Sequence, residues 1–472
     1  MFWLETEVFM NQFLEIVETV NGAINDFVWG VPCLVLLIGT GLYYTIRLGF
    51  MQFRHPWFIM KETIFDDAFK KKGSQDHKPG EVTSFQAAMT SVGAIVGSGN
   101  IAGVATAIVA GGPGAVFWML IAAVLGMATK FAEVTLGIKY RKIRENGTIG
   151  GGAMYYLAEG LKQKWLGVVF SLLVIPYAFV ISAVVDTNTI VLAVENEFAV
   201  PTWVTGLVLV VLTGIIIFGG IKSIGKASAV VAPFMGIAYI LAGVCVIILH
   251  IADVPAAIGL IFREAFSFKA AAGGTVGTIF VAMRYGVARG IFSNEAGVGS
   301  AAMVHCSAKV DHPVEQGLWG AVEVFLDTAL VCTVTALTIV LSGLYTGGGD
   351  VDGAALTMKA FELMLPGKIG SWVCLGAIIL FGFTCLISFY TYAERGAVYI
   401  FGEKSRFAVK LVWLGMIFIG SQTTLGLAWD LADTINGLMI IPNLVGLLLL
   451  SNQVVKLKKE YFGERLPARK HK

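Results

Sequence analysis

The chain is 472 residues long, 56% hydrophobic and 14% charged, with a mean hydropathy of +0.77 and a formal net charge of +2. Soluble domains carry charge on about a quarter of their residues, so an ordinary soluble globule is excluded. The cysteines at Cys33, Cys245, Cys306, Cys332, Cys374 and Cys385 have no C-x-x-C spacing, which excludes a disulfide framework and a zinc site.

Taken in chain order, eleven apolar runs are long enough to cross about 30 Å of hydrocarbon. They lie near 24–48, 84–109, 113–138, 166–194, 202–219, 227–250, 272–301, 317–344, 370–393, 407–424 and 428–451. The expected fold is an all-α polytopic membrane protein with no soluble domain. The first run follows an acidic leader (Glu5, Glu7, Glu15, Glu18, Asp26) without Lys or Arg, whereas a cleavable signal begins positively charged. Lys and Arg gather in every second connection, 26 in all, against only Arg263, Lys269, Lys359 and Lys368 in the intervening ones. The positive-inside rule then puts the N-terminus outside and the C-terminus in the cytoplasm, as an odd number of spans requires.

Setting the first span aside leaves ten, which divide five and five. The domain plan is a leader and extra helix over 1–50, a cytoplasmic linker over 51–83, a first five-helix unit over 84–250, an extracellular connection over 251–271, a second unit over 272–451 and a basic cytoplasmic tail over 452–472. Units of five enter the membrane from opposite sides, so repeats would be inverted. The tail "KLKKEYFGERLPARKHK" reads as an orientation signal beside anionic lipid, not as a nucleic-acid site.

Each unit opens on a span rich in glycine. The first carries "GAIVGSGNIAGVATAI", Gly93 to Ile108, and the second "AMRYGVARGIFSNEAGVGS", Ala282 to Ser300. Glycine inside a helix costs about 1 kcal/mol relative to alanine. Close packing accounts for Gly93 and Gly97, four apart, but does not need Gly-Ser-Gly-Asn in succession. Two discontinuous helices are expected here. Unwound backbone frees carbonyls for a cation and half-helix N-termini for a carboxylate, which suits a zwitterionic solute travelling with sodium.

Charged residues within spans need partners. Lys130 and Glu133 lie three apart and are expected to pair. Glu323 and Asp327 repel at four apart, which calls for a cation, Arg284 or Arg289 between them. Asp430 and Asp433 flank the outer end of the last span. A turn is expected at Arg289–Gly290, with Ser293 capping the inner half-helix. The six histidines lie outside or at the edges of the spans and form no catalytic motif, and "NGTIGGGAMYY" lacks the Lys-Ser/Thr of a P-loop, so no enzyme is expected.

The stretches "GNIAGVATAI", "GGPGAVFWM", "GGAMYY", "GVARGIFSNEAG" and "IPNL", in this order, resemble the sodium:alanine symporter family. The resemblance implies a leucine-transporter-type fold: one extra N-terminal helix, then a five-plus-five inverted repeat. It also implies sodium-driven uptake of a small neutral amino acid across the plasma membrane, with sodium as coupling ion and no cofactor. A proton-coupled relative and an ion channel are the alternatives, and oligomeric state is not specified. By the same resemblance Gly97, Ser98, Gly99 and Asn100 surround the substrate carboxylate, Asn100 also ligates sodium, and Gly93, Val96 and Thr384 hold a second sodium. Asp186, Cys385 and Phe389 depart from the family, which has Gln, Thr and Trp there. Asp186 is left with three readings: a cation ligand, a protonatable site or a substrate contact, against a plain structural carboxylate. The departures favour a larger or more polar neutral solute such as glutamine. Asn188, Tyr285, Gly286 and Phe292 complete the expected substrate set.

Overall fold

The computed structural model describes residues 2–66, 79–144, 147–267, 278–346, 353–423 and 426–470. Its helices are α1 (Phe2–Val28), α2 (Val31–Arg47), α3 (Ser84–Ile95), α4 (Val104–Gly111), α5 (Ala115–Lys139), α6 (Lys164–Phe198), α7 (Thr202–Phe218), α8 (Gly220–Leu249) and α9 (Val254–Ala265). They continue with α10 (Thr278–Asn294), α11 (Ala301–His305), α12 (Pro313–Ser342), α13 (Gly353–Met364), α14 (Ile369–Phe401), α15 (Ser405–Gly420), α16 (Gly426–Leu449) and α17 (Ser451–Lys470). Strand β1 (Val82–Thr83) pairs in parallel with β4 (Ala308–Lys309), and β2 (Lys142–Ile143) pairs antiparallel with β3 (Ile149–Gly150).

Six of the described helices are long and apolar enough to cross a membrane, and two bent pairs would make eight. These coincide with eight of the eleven expected spans. The other three fall on α7, α10 and α15, each of 16 or 17 residues, about 25 Å at 1.5 Å per residue. The expected start of the seventh span, 272–277, lies outside the described residues.

Helix α5 is the hub: it packs on α2, α10 and α12, while α14 packs on α3, α6 and α8. Large apolar side chains such as Leu212 and Ile215 of α7 and Phe234 and Ile237 of α8 stay exposed on the outer wall. Such a surface is stable only against lipid.

Both glycine-rich spans are broken. In the first, a capping box starts α3: Thr83 Oγ1 accepts from Gln86 N, and Gln86 Oε1 accepts from Thr83 N. The helix stops at Ile95, because the Gly97 N–H that would close the next turn onto Gly93 O donates to Asn100 Oδ1 instead, at 2.8 Å. The chain resumes as a π-helical turn, Gly99–Gly103, leading into α4, and the two halves meet at 49°. The second break falls at Glu295–Ser300, with positive φ at Glu295, Gly297 and Gly299. The expected turn at Arg289–Gly290 is absent: both sit in uninterrupted α10. One glycine is tolerated inside a helix that packs on both sides, whereas the two glycines of "EAGVG" adopt a backbone no helix uses.

Helices α9, α13 and α17 were not expected. No 20-residue apolar run marks them, since α9 and α13 are short and α17 is highly charged. Helix α17 docks onto the linker and α12: Tyr461 OH donates to Glu62 Oε2 at 3.2 Å, the Phe58 and Phe462 rings lie 5.0 Å apart, and Arg465 pairs with Glu315 at 3.4 Å.

Candidate functional site

The two breaks face each other across a small cavity lined by Gly97, Ser98, Gly99, Tyr177, Ile181, Asp186, Phe292, Glu295, Cys385 and Phe389 among others. A second small cavity, mostly apolar, adjoins it along Gly97, Ser98 and Asp186 and is walled by Ile101, Ala102, Ala354, Ile378 and Gly382. Asp186 borders both.

Asp186 ends a π-helical stretch of α6, Phe179–Asp186. Such stretches leave backbone groups out of register and recur at functional sites. Its carboxylate is buried; Oδ1 accepts from Ser98 Oγ at 2.7 Å, and Oδ2 has no hydrogen-bond partner among the described residues. A buried carboxylate with an idle oxygen is costly unless a cation or donor arrives.

Gly97 is a glycine for reasons of space. A β-carbon there would lie 2.5 Å from Cys385 Sγ and 3.9 Å from Asp186 Oδ1. The Cys385 thiol donates to Ala94 O at 3.2 Å, so it braces the end of α3. Phe389 packs on Tyr177 and Tyr392, with ring centroids 5.8 and 4.9 Å away. Phe292 lies against Trp429 at 5.6 Å, beneath Arg289, whose guanidinium pairs with both oxygens of Asp433 at 2.9 and 2.7 Å.

Asn100 is buried and sits on Asp327, to whose Oδ1 its amide donates at 2.6 Å. Asp327 lies in a second π-helical stretch, Phe325–Cys332 of α12, and its Oδ2 accepts from Ser293 Oγ at 2.9 Å and Thr328 Oγ1 at 2.8 Å. Ser293 therefore does not cap the inner half-helix. Ser300 precedes that helix, and its hydroxyl donates to Glu295 Oε2 at 2.7 Å. The cluster of Asn100, Ser293, Thr328 and Asp327 joins both breaks to α12 in one knot of oxygens.

The other expected metal residues form a separate group. The α-carbon of Gly93 faces α14, where an added β-carbon would meet Thr384 Cβ at 3.2 Å and Ser388 Oγ at 3.4 Å. The Thr384 hydroxyl donates back to Phe381 O at 2.9 Å, while Ser388 Oγ is buried with no hydrogen-bond partner among the described residues. Val96 follows the last residue of α3, and its carbonyl lies 3.8 Å from Cys385 Sγ. Ser388 was not singled out from sequence; its place one turn after Thr384 on the same helix face was the available signal.

Three expected residues lie elsewhere. Asn188 points away from the chamber and donates to Gly420 O at 3.1 Å and to Thr423 O. Tyr285 packs on Gly111, and Gly286 on the Ala115 backbone, two turns from the chamber. The rotation of α10 carries residues 285–286 to the α5 side and Phe292 to the chamber.

The charged residues pair differently from the sequence expectation. Lys130 Nζ binds Glu323 Oε1 at 3.1 Å and Asn294 O at 2.5 Å, not Glu133. Glu133 Oε2 accepts from Gly297 N at 3.2 Å and from Asn443 of the "IPNL" stretch at 3.3 Å. Helix α5 thus holds the second break at both ends, with a cation on the last carbonyls of α10 and a carboxylate on the exposed N–H. His305, at the end of α11, is fully buried and pairs with Glu323 Oε2 at 3.0 Å. Arg284 pairs with Asp26 at 2.8 Å, so neither Arg284 nor Arg289 lies between Glu323 and Asp327.

The sequence profile described as the sodium:alanine symporter family matches residues 14–472. The sodium/alanine symporter AgcS of Methanococcus maripaludis is 43% identical over 455 residues, covering 95% of this chain and 97% of that protein. The probable sodium/glutamine symporter GlnT of Bacillus subtilis is 39% identical, covering 96% and 92%. Among solved structures, a Na+-coupled sialic acid symporter in a substrate-bound outward-open state superposes with a TM-score of 0.54 at 15% identity, covering 90% of this chain and 86% of that one. That likeness concerns the fold alone.

Proposed function

The chain belongs to the sodium:alanine symporter family, and on that premise we propose that it imports a small neutral amino acid with sodium by alternating access. It is a transporter and not an enzyme. The observation that carries the reading is the meeting of two broken helices around a cavity that holds, among the described residues, an unpartnered carboxylate oxygen on Asp186.

The solute's carboxylate is assigned to the unwound backbone of Gly97–Gly99, and its ammonium to Asp186. Phe292 and Phe389 wall the side-chain end. Sodium is assigned to two groups: Asn100 with Asp327 and Ser293, and the Gly93 and Val96 carbonyls with Thr384 and Ser388. Hard cations prefer oxygen, and both groups are rich in it. One sodium entering across 100 mV releases about 2.3 kcal/mol, enough for a roughly 50-fold solute gradient.

We read α3 to α8 and α10 to α16 as the two inverted units, with α1 and α2 as the extra segment, eleven spans in all and the C-terminus in the cytoplasm. The broken helices at the head of each unit and the alternation of basic connections support this. The names of relatives divide between alanine and glutamine. The Asp186, Cys385 and Phe389 departures favour a solute more polar than alanine.

The test is uptake into proteoliposomes, with alanine, glycine, serine and glutamine competing in both enantiomers. Uptake that vanishes when the sodium gradient is removed supports the reading. Uptake driven equally by a proton gradient without sodium would replace it with the proton-coupled alternative, and single-channel currents would replace it with a channel.

A further inference from the structure

Arg47 ends α2, and the chain then turns sharply at Gly49 and Phe50, whose φ values are +65° and +56°. It continues in two short helices, Met51–Arg54 and Pro56–Met60. Met51, Gln52, Phe58 and Ile59 are buried, while Phe53 and Trp57, 59% and 69% exposed, bracket an exposed Arg54. Aromatic rings left outward just past a span suit the layer of lipid headgroups, which meets an apolar body and a polar surround together.

Helix α17 starts at the same level. Tyr43 OH and Ser451 Oγ are 2.9 Å apart, and Arg47 donates to Asn452 Oδ1 at 2.6 Å. Farther along, α17 buries Tyr461 and Phe462 against the linker. Phe462 gathers basic side chains around its ring: the His55 imidazole lies 5.6 Å from it and the Lys458 ammonium 4.7 Å. Arg54 precedes His55 and Lys459 follows Lys458, so opposite ends of the chain bring their positive charge to one place.

The neighbouring carboxylates are engaged elsewhere. Glu62 accepts from Tyr461, Glu460 pairs with Lys456 at 3.8 Å and Glu315 with Arg465 at 3.4 Å. Arg54, Lys458 and Lys459 form no ion pair among the described residues. The crowding is felt. Burial, then Arg54 and Lys459, pulls the Lys458 ammonium below its usual pKa, and burial, then Lys458 and Arg54, does the same to His55. Like charges held together by packing are relieved when an anion comes between them.

We infer that Arg54, His55 and Lys458 form a seat for the headgroup phosphate of an anionic phospholipid, with Phe53 and Trp57 flanking its acyl chains. The guanidinium and the ammonium donate to the phosphate oxygens. The aromatic flanks favour a lipid over a free phosphate, which has nothing to lay beside them. A lipid held there joins the linker to α17. Through Tyr461, whose ring lies 5.1 Å from that of His312, it also steadies the start of α12. The inference goes beyond the transport reading and requires only that the chain sits in a bilayer.

The test uses the full chain, purified in neutral detergent and stripped of lipid. It is titrated with phosphatidylglycerol and with phosphatidylcholine, and bound lipid is counted by native mass spectrometry. Phosphatidylglycerol is expected to bind at least tenfold more tightly. Arg54→Gln/Lys458→Gln should weaken that binding about 30-fold, since each basic residue at a membrane surface contributes about a factor of five. Arg54→Gln alone, at about fivefold, keeps the test within reach should the double variant not fold. Lys222→Gln/Lys226→Gln removes as much charge from another exposed connection and should bind like the unmodified chain, as should the conservative Arg54→Lys/Lys458→Arg. Phosphatidylglycerol should also raise the thermal unfolding temperature of the unmodified chain but not that of Arg54→Gln/Lys458→Gln, and glycerol phosphate should protect neither. Equal affinity for the two lipids, an equal loss in the Lys222/Lys226 variant, or protection by glycerol phosphate to the same degree as by the lipid overturns the assignment.

Discussion

Asn100 and Asp327, 227 residues apart, are joined by a buried 2.6 Å hydrogen bond from the amide Nδ2 to Oδ1. The same Asn100 amide accepts the Gly97 N–H through its Oδ1, so a carboxylate on α12 orients the side chain that keeps α3 from winding onward. Substitution at either residue therefore disturbs the break and its oxygens together. Asn100→Ala and Asp327→Asn are each expected to raise the sodium concentration for half-maximal uptake about tenfold, a loss of ~1.4 kcal/mol. A sodium titration of uptake that superposes on the unmodified protein would remove that residue from coupling.

Ser388 provides a cleaner test, because its hydroxyl has no hydrogen-bond partner among the described residues. Ser388→Ala is expected to weaken sodium dependence about tenfold or more, in line with ~1.5–3 kcal/mol for a bond to a charged group. Thermal stability in sodium-free detergent should be unchanged or slightly higher. Equal sodium dependence in the two proteins would mean the idle oxygen is not a ligand.

Gly97→Ala would drive a methyl into Cys385 Sγ at 2.5 Å. Overpacking of this kind costs about 1–3 kcal/mol, here at the wall of the chamber, and uptake should fall to background. The second substitution Cys385→Ala removes the sulfur and is expected to recover a measurable fraction. Failure of the double variant to gain anything over Gly97→Ala would show that the clash is not the cause.

Asp186→Gln replaces a charge that borders both cavities with a neutral amide. The expected outcome is a shift in the competition profile toward alanine over glutamine by about tenfold, with sodium dependence retained. An unaltered rank order together with unaltered apparent affinity for every amino acid would return Asp186 to a structural carboxylate.

Lys130→Met leaves the buried Glu323 without its ammonium partner, and strips the Asn294 carbonyl of that donor. Removing one partner of a buried pair costs about 3–5 kcal/mol. Thermal unfolding in detergent should show a large loss, and the Lys130→Met/Glu323→Leu double variant a smaller one.

Periodicity and composition alone were enough to read a helical membrane protein, the approximate spans, and the presence of a break in each of two helices. Apolar length and glycine clustering are local properties, legible without knowing any neighbour. Partners were another matter. Lys130 and Glu133 sit on one face of α5, yet each turns to a different element, because α10 and α12 bring them the Asn294 carbonyl, the Gly297 N–H and Glu323. His305 was read as lying at the edge of a span, and there it is buried between Glu323 and Gln316 of α12. Helix α17 gave no apolar signal, since charged helices form on i, i+4 pairs such as Lys456–Glu460 and on docking, not on a long greasy face.

What the residue order determined by itself was where the chain would come apart in the membrane, because a backbone rich in glycine cannot hide its weakness. Which oxygens gather at those gaps was decided only by tertiary packing. Asp186, Asp327 and Ser388 come from three helices distant in sequence, and no local rule relates the rotation of one helix to that of another.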